Sequence, residues 1–105
     1  MNKIEDTIRI NALYDYYKEL LTDKQKDYFE AFYFENMSLS EIAENYNVSR
    51  NAVYSQLNLT VDAINKYELK LHLYENDLKR EEIFKKIKEL NNQKVNDLVN
   101  ELEEI

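Results

Sequence analysis

Apolar residues recur along this chain at helical spacing, and the phase of that recurrence divides it into helices. Between residues 2 and 21, Ile10, Leu13, Tyr14, Tyr17, Leu20 and Leu21 share one stripe. Glu5, Asp6, Asp15, Lys18 and Glu19 lie elsewhere around the turn, so the segment predicts an amphipathic helix. Thr22 followed by Gln25 forms a capping box, in which each side chain satisfies a free amide of a starting helix. A second helix is therefore expected to about Phe34, burying Tyr28, Phe29 and Phe32. Ser38 with Glu41 repeats the device and opens a short helix with Ile42, Ala43 and Tyr46 on one face.

Asn47 then supplies a turn. Such turns favour glycine in a left-handed backbone conformation, and asparagine is the next most tolerant residue. Val48 is the apolar plug of the turn, and Ser49 caps the following helix. Val53 and Leu57 of that helix point inward, which leaves Arg50, Asn51, Tyr54, Ser55 and Asn58 outward. The stretch from Ser38 to Leu57 thus predicts a helix-turn-helix, with those five residues as candidate nucleic-acid contacts.

The stripe continues through Val61, Ile64, Leu71, Tyr74 and Leu78, so the second helix of the motif is expected to run to about Leu78. It loses phase from Lys79 to Glu82 and resumes as Ile83, Phe84, Ile87, Leu90, Val95, Leu98, Leu102 and Ile105. A last helix over about 80–104 follows, irregular at Asn91 and Asn92. Residues 1–78 are read as a helical domain containing the motif, and 79–105 as a C-terminal extension whose stripe needs covering. A second copy of the chain is the expected cover, making a homodimer; the alternative is folding back on the first helix.

Composition sharpens the fold class. With no glycine, no proline and abundant asparagine, lysine, glutamate, isoleucine and tyrosine, the 105-residue chain lacks the residues for hairpins or phosphate-cradling loops. The expectation is all-α. The absence of cysteine removes disulfides and thiolate metal sites and fits a reducing cytoplasm. No membrane-spanning run and no secretory signal are visible, so a cytoplasmic protein without a membrane partner is expected.

Candidate chemistry is sparse. His72 is the single histidine, and the carboxylates at Glu41 and Glu44 fall in a capped helix with Glu41 already engaged. No catalytic residue, metal ligand, cofactor site or small-molecule substrate is assigned. Asp77, Glu81 and Glu82, interleaved with Lys79 and Arg80, read as a solvated face with local ion pairs. Tyr14, Tyr16 and Tyr17 could stack bases, but Tyr14 and Tyr17 sit on the core stripe, so only Tyr16 is expected at the surface.

Net charge is −7 and dispersed, and from Ser49 to Asn65 the only basic side chain is Arg50. This works against phosphate-driven affinity, which depends on counterion release. Two function classes follow. A DNA-binding regulator would direct Arg50 to a guanine or phosphate and Asn51 to an adenine edge, with weak DNA binding. An interaction module would use the same fold against a protein or ribonucleoprotein, with Tyr16 and Tyr54 as partner-binding anchors. The acidic balance favours the second.

These residues resemble two related patterns. Leu21-Thr22 with Gln25, Tyr33, Ser38-Leu39, Glu41-Ile42-Ala43-Glu44, and Val48-Ser49 with Val53 and Leu57 resemble the fourth region of bacterial sigma factors, over about forty residues. Leu13-Tyr14-Asp15-Tyr16-Tyr17, Leu21-Thr22, Val48-Ser49-Arg50 with Ala52-Val53-Tyr54, and Tyr67-Glu68 with Lys70-Leu71 are similar to the YlxM-type family over most of the chain. That family comprises small bacterial proteins encoded beside the signal recognition particle genes. The resemblance implies a sigma-like helix-turn-helix fold with an extended C-terminal helix. It also implies an accessory or regulatory role in signal recognition particle (SRP) targeting, with an SRP protein or RNA component as partner.

Overall fold

The computed structural model describes the backbone of residues 3–105 and the side chains of residues 6–105. The described residues form α1 (Lys3–Tyr17), a 3-10 turn (Lys18–Leu20), α2 (Asp23–Tyr33), α3 (Leu39–Tyr46), α4 (Arg50–Leu71), α5 (Leu73–Glu89) and α6 (Gln93–Glu103), with no strand among them. The expected all-α class is the observed one. The start of the first helix at residue 2 and the outward placement of Glu5 lie outside the described residues.

Side chains start these helices where the sequence places caps. Thr22 Oγ1 accepts the Gln25 amide at 3.2 Å, and Gln25 Oε1 accepts the Thr22 amide at 2.9 Å. Ser38 and Glu41 close the same box at 3.1 Å in both directions. Ser49 Oγ accepts the Ala52 amide at 3.0 Å and opens α4. Each arrangement satisfies donors that the first helical turn would otherwise leave free.

The chain divides into two compact units, one ending at His72 and the other comprising Leu73–Ile105. Within the first, α4 is the axis, packed by α1, α2 and α3. Tyr28, Ala31, Ile42, Ala43, Val53 and Leu57 form the core of the helix-turn-helix, with Phe32, Met37, Leu39 and Val48 packed against it. Against α1, Leu13, Tyr14, Tyr17, Phe29 and Ile64 are buried. Tyr14 stacks on Phe29 with centroids 4.2 Å apart and planes 6° from parallel, and Phe29 stacks in turn on Tyr33 at 4.4 Å. Offset stacking of this kind adds about 0.5–1.5 kcal/mol beyond area burial.

Two polar residues sit in this core. Thr60 is fully buried, its hydroxyl donating to the Gln56 carbonyl at 2.8 Å, one turn back along α4. Glu68 is buried too, and the Tyr17 hydroxyl donates to its Oε1 at 2.6 Å. Arg9 Nη1 donates to Asn65 Oδ1 at 2.8 Å, a second tie between α1 and the C-terminal half of α4.

The structure differs from expectation at Leu20, at Tyr46 and at the end of the long helix. Leu20, placed on the core stripe, is 53% exposed, because the chain tightens to 3-10 geometry at Lys18 and the helical phase no longer applies. Tyr46 is 42% exposed, with its ring edge-on to Tyr28 at 5.1 Å rather than enclosed. The long helix does not reach Leu78. It ends at Leu71, His72 adopts the left-handed conformation (φ 55°, ψ 28°), and α5 begins at Leu73. Consequently α5 passes unbroken through Lys79–Glu82, where the pairs Lys79–Glu75 at 3.2 Å and Arg80–Asp77 at 2.8 Å lie along its surface.

In the second unit, α5 and α6 pack on each other through a connection at Leu90–Asn92, with Asn91 left-handed (φ 58°). The irregularity expected at Asn91 and Asn92 is therefore a full helix break. Val99 is buried, Phe84, Ile87 and Val95 are half-buried, and Lys88 Nζ pairs with Glu103 Oε1 at 3.0 Å.

Two predictions follow from these packing features. Asn47 (φ 55°, ψ 48°) closes α3 with Val48 N–H bonded to the Ala43 carbonyl at 3.0 Å, a geometry that charges a Cβ-bearing residue about 1–2 kcal/mol. Asn47→Ala is expected to lower unfolding stability by about 1 kcal/mol and Asn47→Gly to leave it unchanged or higher, as read by urea denaturation. Burial, then the hydrogen bond to Glu30 and the charges of Glu30, Asp27 and Asp15, hold the Tyr14 phenol well above the ordinary tyrosine range. The folded state thus keeps a proton that the unfolded chain releases above about pH 10, so stability falls as pH rises past that point. Tyr14→Phe is expected to be less stable at neutral pH yet to lose less on going to about pH 11, measured by denaturation at both.

Candidate binding surface of the helix-turn-helix

The left-handed Asn47 and the Ser49 cap together decide how α4 presents its first turns. Because Val53 is wholly buried and Leu57 nearly so, α4 cannot rotate, and the opposite face is held outward. Arg50, Asn51, Tyr54, Ser55 and Asn58 all lie on that exposed face, as their spacing predicts. Tyr54 is 54% exposed and is the one large aromatic among them. Tyr16 is on α1 at 36% exposure, and its described ring contact is with Tyr17 on its own helix, at 6.3 Å. The structure therefore brings the five α4 residues together and places Tyr16 on a separate element.

Leu59, beyond the five residues expected from the sequence, is 60% exposed and lies one turn beyond Ser55. Its signal was present: it falls out of phase with the Val53, Leu57, Ile64 stripe. It adds an apolar contact to the far end of the surface.

Electrostatically the surface is nearly bare. Arg50 sits in the first turn of α4, and α3 beside it exposes Glu41 and Glu44. Glu41 is committed to the Ser38 amide. The next basic residue along α4 is Lys66, about 24 Å away at 1.5 Å per residue, too far to join Arg50 on one phosphate pair. His72 serves as the left-handed exit of α4. Among the described residues no group of His, Asp or Glu is arranged to hold a metal ion, and no helix is long and apolar enough to cross a membrane.

Comparison with known proteins gives one consistent result. The sequence pattern of a family described as "Putative helix-turn-helix protein, YlxM / p13 like" matches residues 4–105. A UPF0122 protein of Staphylococcus epidermidis is 47% identical over 92 residues, covering 88% of this chain and 84% of the relative. A UPF0122 protein of Streptococcus pneumoniae is 47% identical over 87 residues, covering 83% and 79%.

With a single cation on the exposed face, duplex DNA binding is expected to be micromolar or weaker at about 0.15 M salt and poorly selective. Arg50→Ala should abolish most of it, as read by fluorescence anisotropy with labelled duplexes across a salt series. Nanomolar, sequence-selective binding at that salt would reverse this reading of the surface.

Proposed function

The chain belongs to the YlxM/p13-like helix-turn-helix family, and we propose on that footing that it is a regulatory module of the cytoplasmic SRP pathway. It acts without performing chemistry, by contacting a basic protein component of the particle. One observation carries the choice of a protein partner over a nucleic-acid backbone. The exposed face of α4 offers Tyr54, uncharged polar residues and one arginine, with the Glu41 and Glu44 carboxylates of α3 alongside. A phosphate backbone needs several cations, whereas a basic protein surface is attracted by a net acidic chain and anchored by an exposed tyrosine.

A second reading, a DNA-binding regulator, is favoured by one specific feature. The motif is complete, from the Ser38–Glu41 box through left-handed Asn47 to the Ser49 cap, so α4 is presented as a recognition helix with Arg50 and Asn51 at its N-terminal end.

Pull-down and titration against the particle's GTPase, its receptor and its RNA, together with GTPase turnover with and without the protein, test the first reading. Binding to the GTPase with altered turnover is expected, weakened about tenfold or more by Tyr54→Ala and less by Tyr16→Ala. No binding to any of the three at tens of micromolar removes the proposal and leaves the DNA-binding reading. Binding to the RNA alone, with a steep salt dependence, replaces the protein partner by the nucleic acid.

A further inference from the structure

The Leu73–Ile105 unit is shorter than the ~40 residues below which a domain usually requires a disulfide, a metal or association to stay folded. It has no cysteine, and Val99 is its one fully buried hydrophobic residue. Its apolar side chains are largely in solvent: Ile83, Leu90, Leu98, Leu102 and Ile105 are all more than half exposed. Ile83 and Ile87 on α5, with Leu90 just past its end, repeat at i, i+4, i+7, and on α6 and its end Leu98, Leu102 and Ile105 repeat at the same spacing. Two helices carrying such stripes are half of a four-helix bundle.

An open groove of about 1230 Å³ in this unit has Phe84, Leu102 and Ile105 as its apolar lining. Its charged lining mixes both signs. Arg80, Lys85 and Lys88 stand with Asp77, Glu81, Glu89 and Glu103. A nucleic acid would select a groove with excess cations, and a basic protein one with excess anions. A lining that carries near-equal numbers of each is matched by a copy of itself, because a two-fold interface sets the same patch against itself and can place every cation near an anion.

The geometry points to a second copy of this chain as the occupant: two α5–α6 hairpins pair about a two-fold axis across this groove, burying Phe84, Leu102 and Ile105 at the seam of a four-helix bundle. The proposed pairing uses residues of the Leu73–Ile105 unit alone and does not depend on which partner the exposed face of α4 takes.

Light scattering and sedimentation of the full chain at micromolar concentration test this. The expected mass is about twice the 12.7 kDa of one chain. Leu98→Glu with Leu102→Glu is expected to give a monomer that keeps the helix-turn-helix unit folded, read by the near-ultraviolet signal of its tyrosines. Arg80→Glu with Lys85→Glu leaves the apolar stripes intact and is expected to raise the dimer dissociation constant at least tenfold. A monomeric wild-type chain at about 100 μM overturns the inference. So does a dimer whose dissociation is unchanged by both double variants, since it would then associate through another surface.

Discussion

A chain with no glycine must still leave its helices through tight turns, and that constraint governs how this protein is assembled. Left-handed backbone is the compact way out of a helix, and it disfavours residues that carry a Cβ. Asn36, Asn47, His72 and Asn91 take it, at φ between 55° and 58°. Three of the four are asparagines, whose short polar side chain best tolerates the conformation. The corner between α2 and α3, the turn of the helix-turn-helix, the end of α4 and the α5–α6 connection all depend on these single residues. At the first two, the amide following the left-handed residue bonds back to a carbonyl of the helix it leaves: Met37 to Ala31, and Val48 to Ala43, both at 3.0 Å.

The same residues explain what was legible in the sequence. Capping boxes are local, so Thr22–Gln25 and Ser38–Glu41 announce α2 and α3 almost to the residue. Asn47 between two apolar runs reads as a turn for the same reason. His72 does not, because Leu71, Tyr74 and Leu78 continue the stripe of α4 across it, and one left-handed residue leaves the apolar spacing on either side intact. Periodicity records which positions are apolar and is blind to a one-residue break in the backbone. The apparent loss of phase at Lys79–Glu82 was a solvated surface of α5, where ion pairs substitute for apolar contacts.

The buried face of α4 shows the opposite limitation. Thr60 and Glu68 occupy positions that a stripe of apolar residues passes over, and both are buried because the fold supplies partners: the Gln56 carbonyl for one and the Tyr17 hydroxyl for the other. A polar residue can be core only if a donor or acceptor reaches it, and that partner lies 51 residues away in the case of Glu68. Sequence spacing carries no trace of such a contact. The candidate surface was legible as far as exposure goes, since Val53 and Leu57 fix the outward set, but Leu59 belonged to it by the same phase argument and Tyr46 stands more open than its position on α3 suggested.

The buried Tyr17–Glu68 bond also bears on how the exposed aromatics can act together. Tyr16 rides on α1 and Tyr54 on α4, and two contacts, Tyr17 to Glu68 and Arg9 to Asn65, tie those helices over the C-terminal half of α4. A buried hydrogen bond contributes about 0.5–1.5 kcal/mol, and more where one partner is charged. The relative placement of α1 and α4 is therefore fixed before any partner arrives. Tyr16 and Tyr54 are thus carried on two helices whose mutual placement is set by buried contacts rather than by the aromatic side chains themselves.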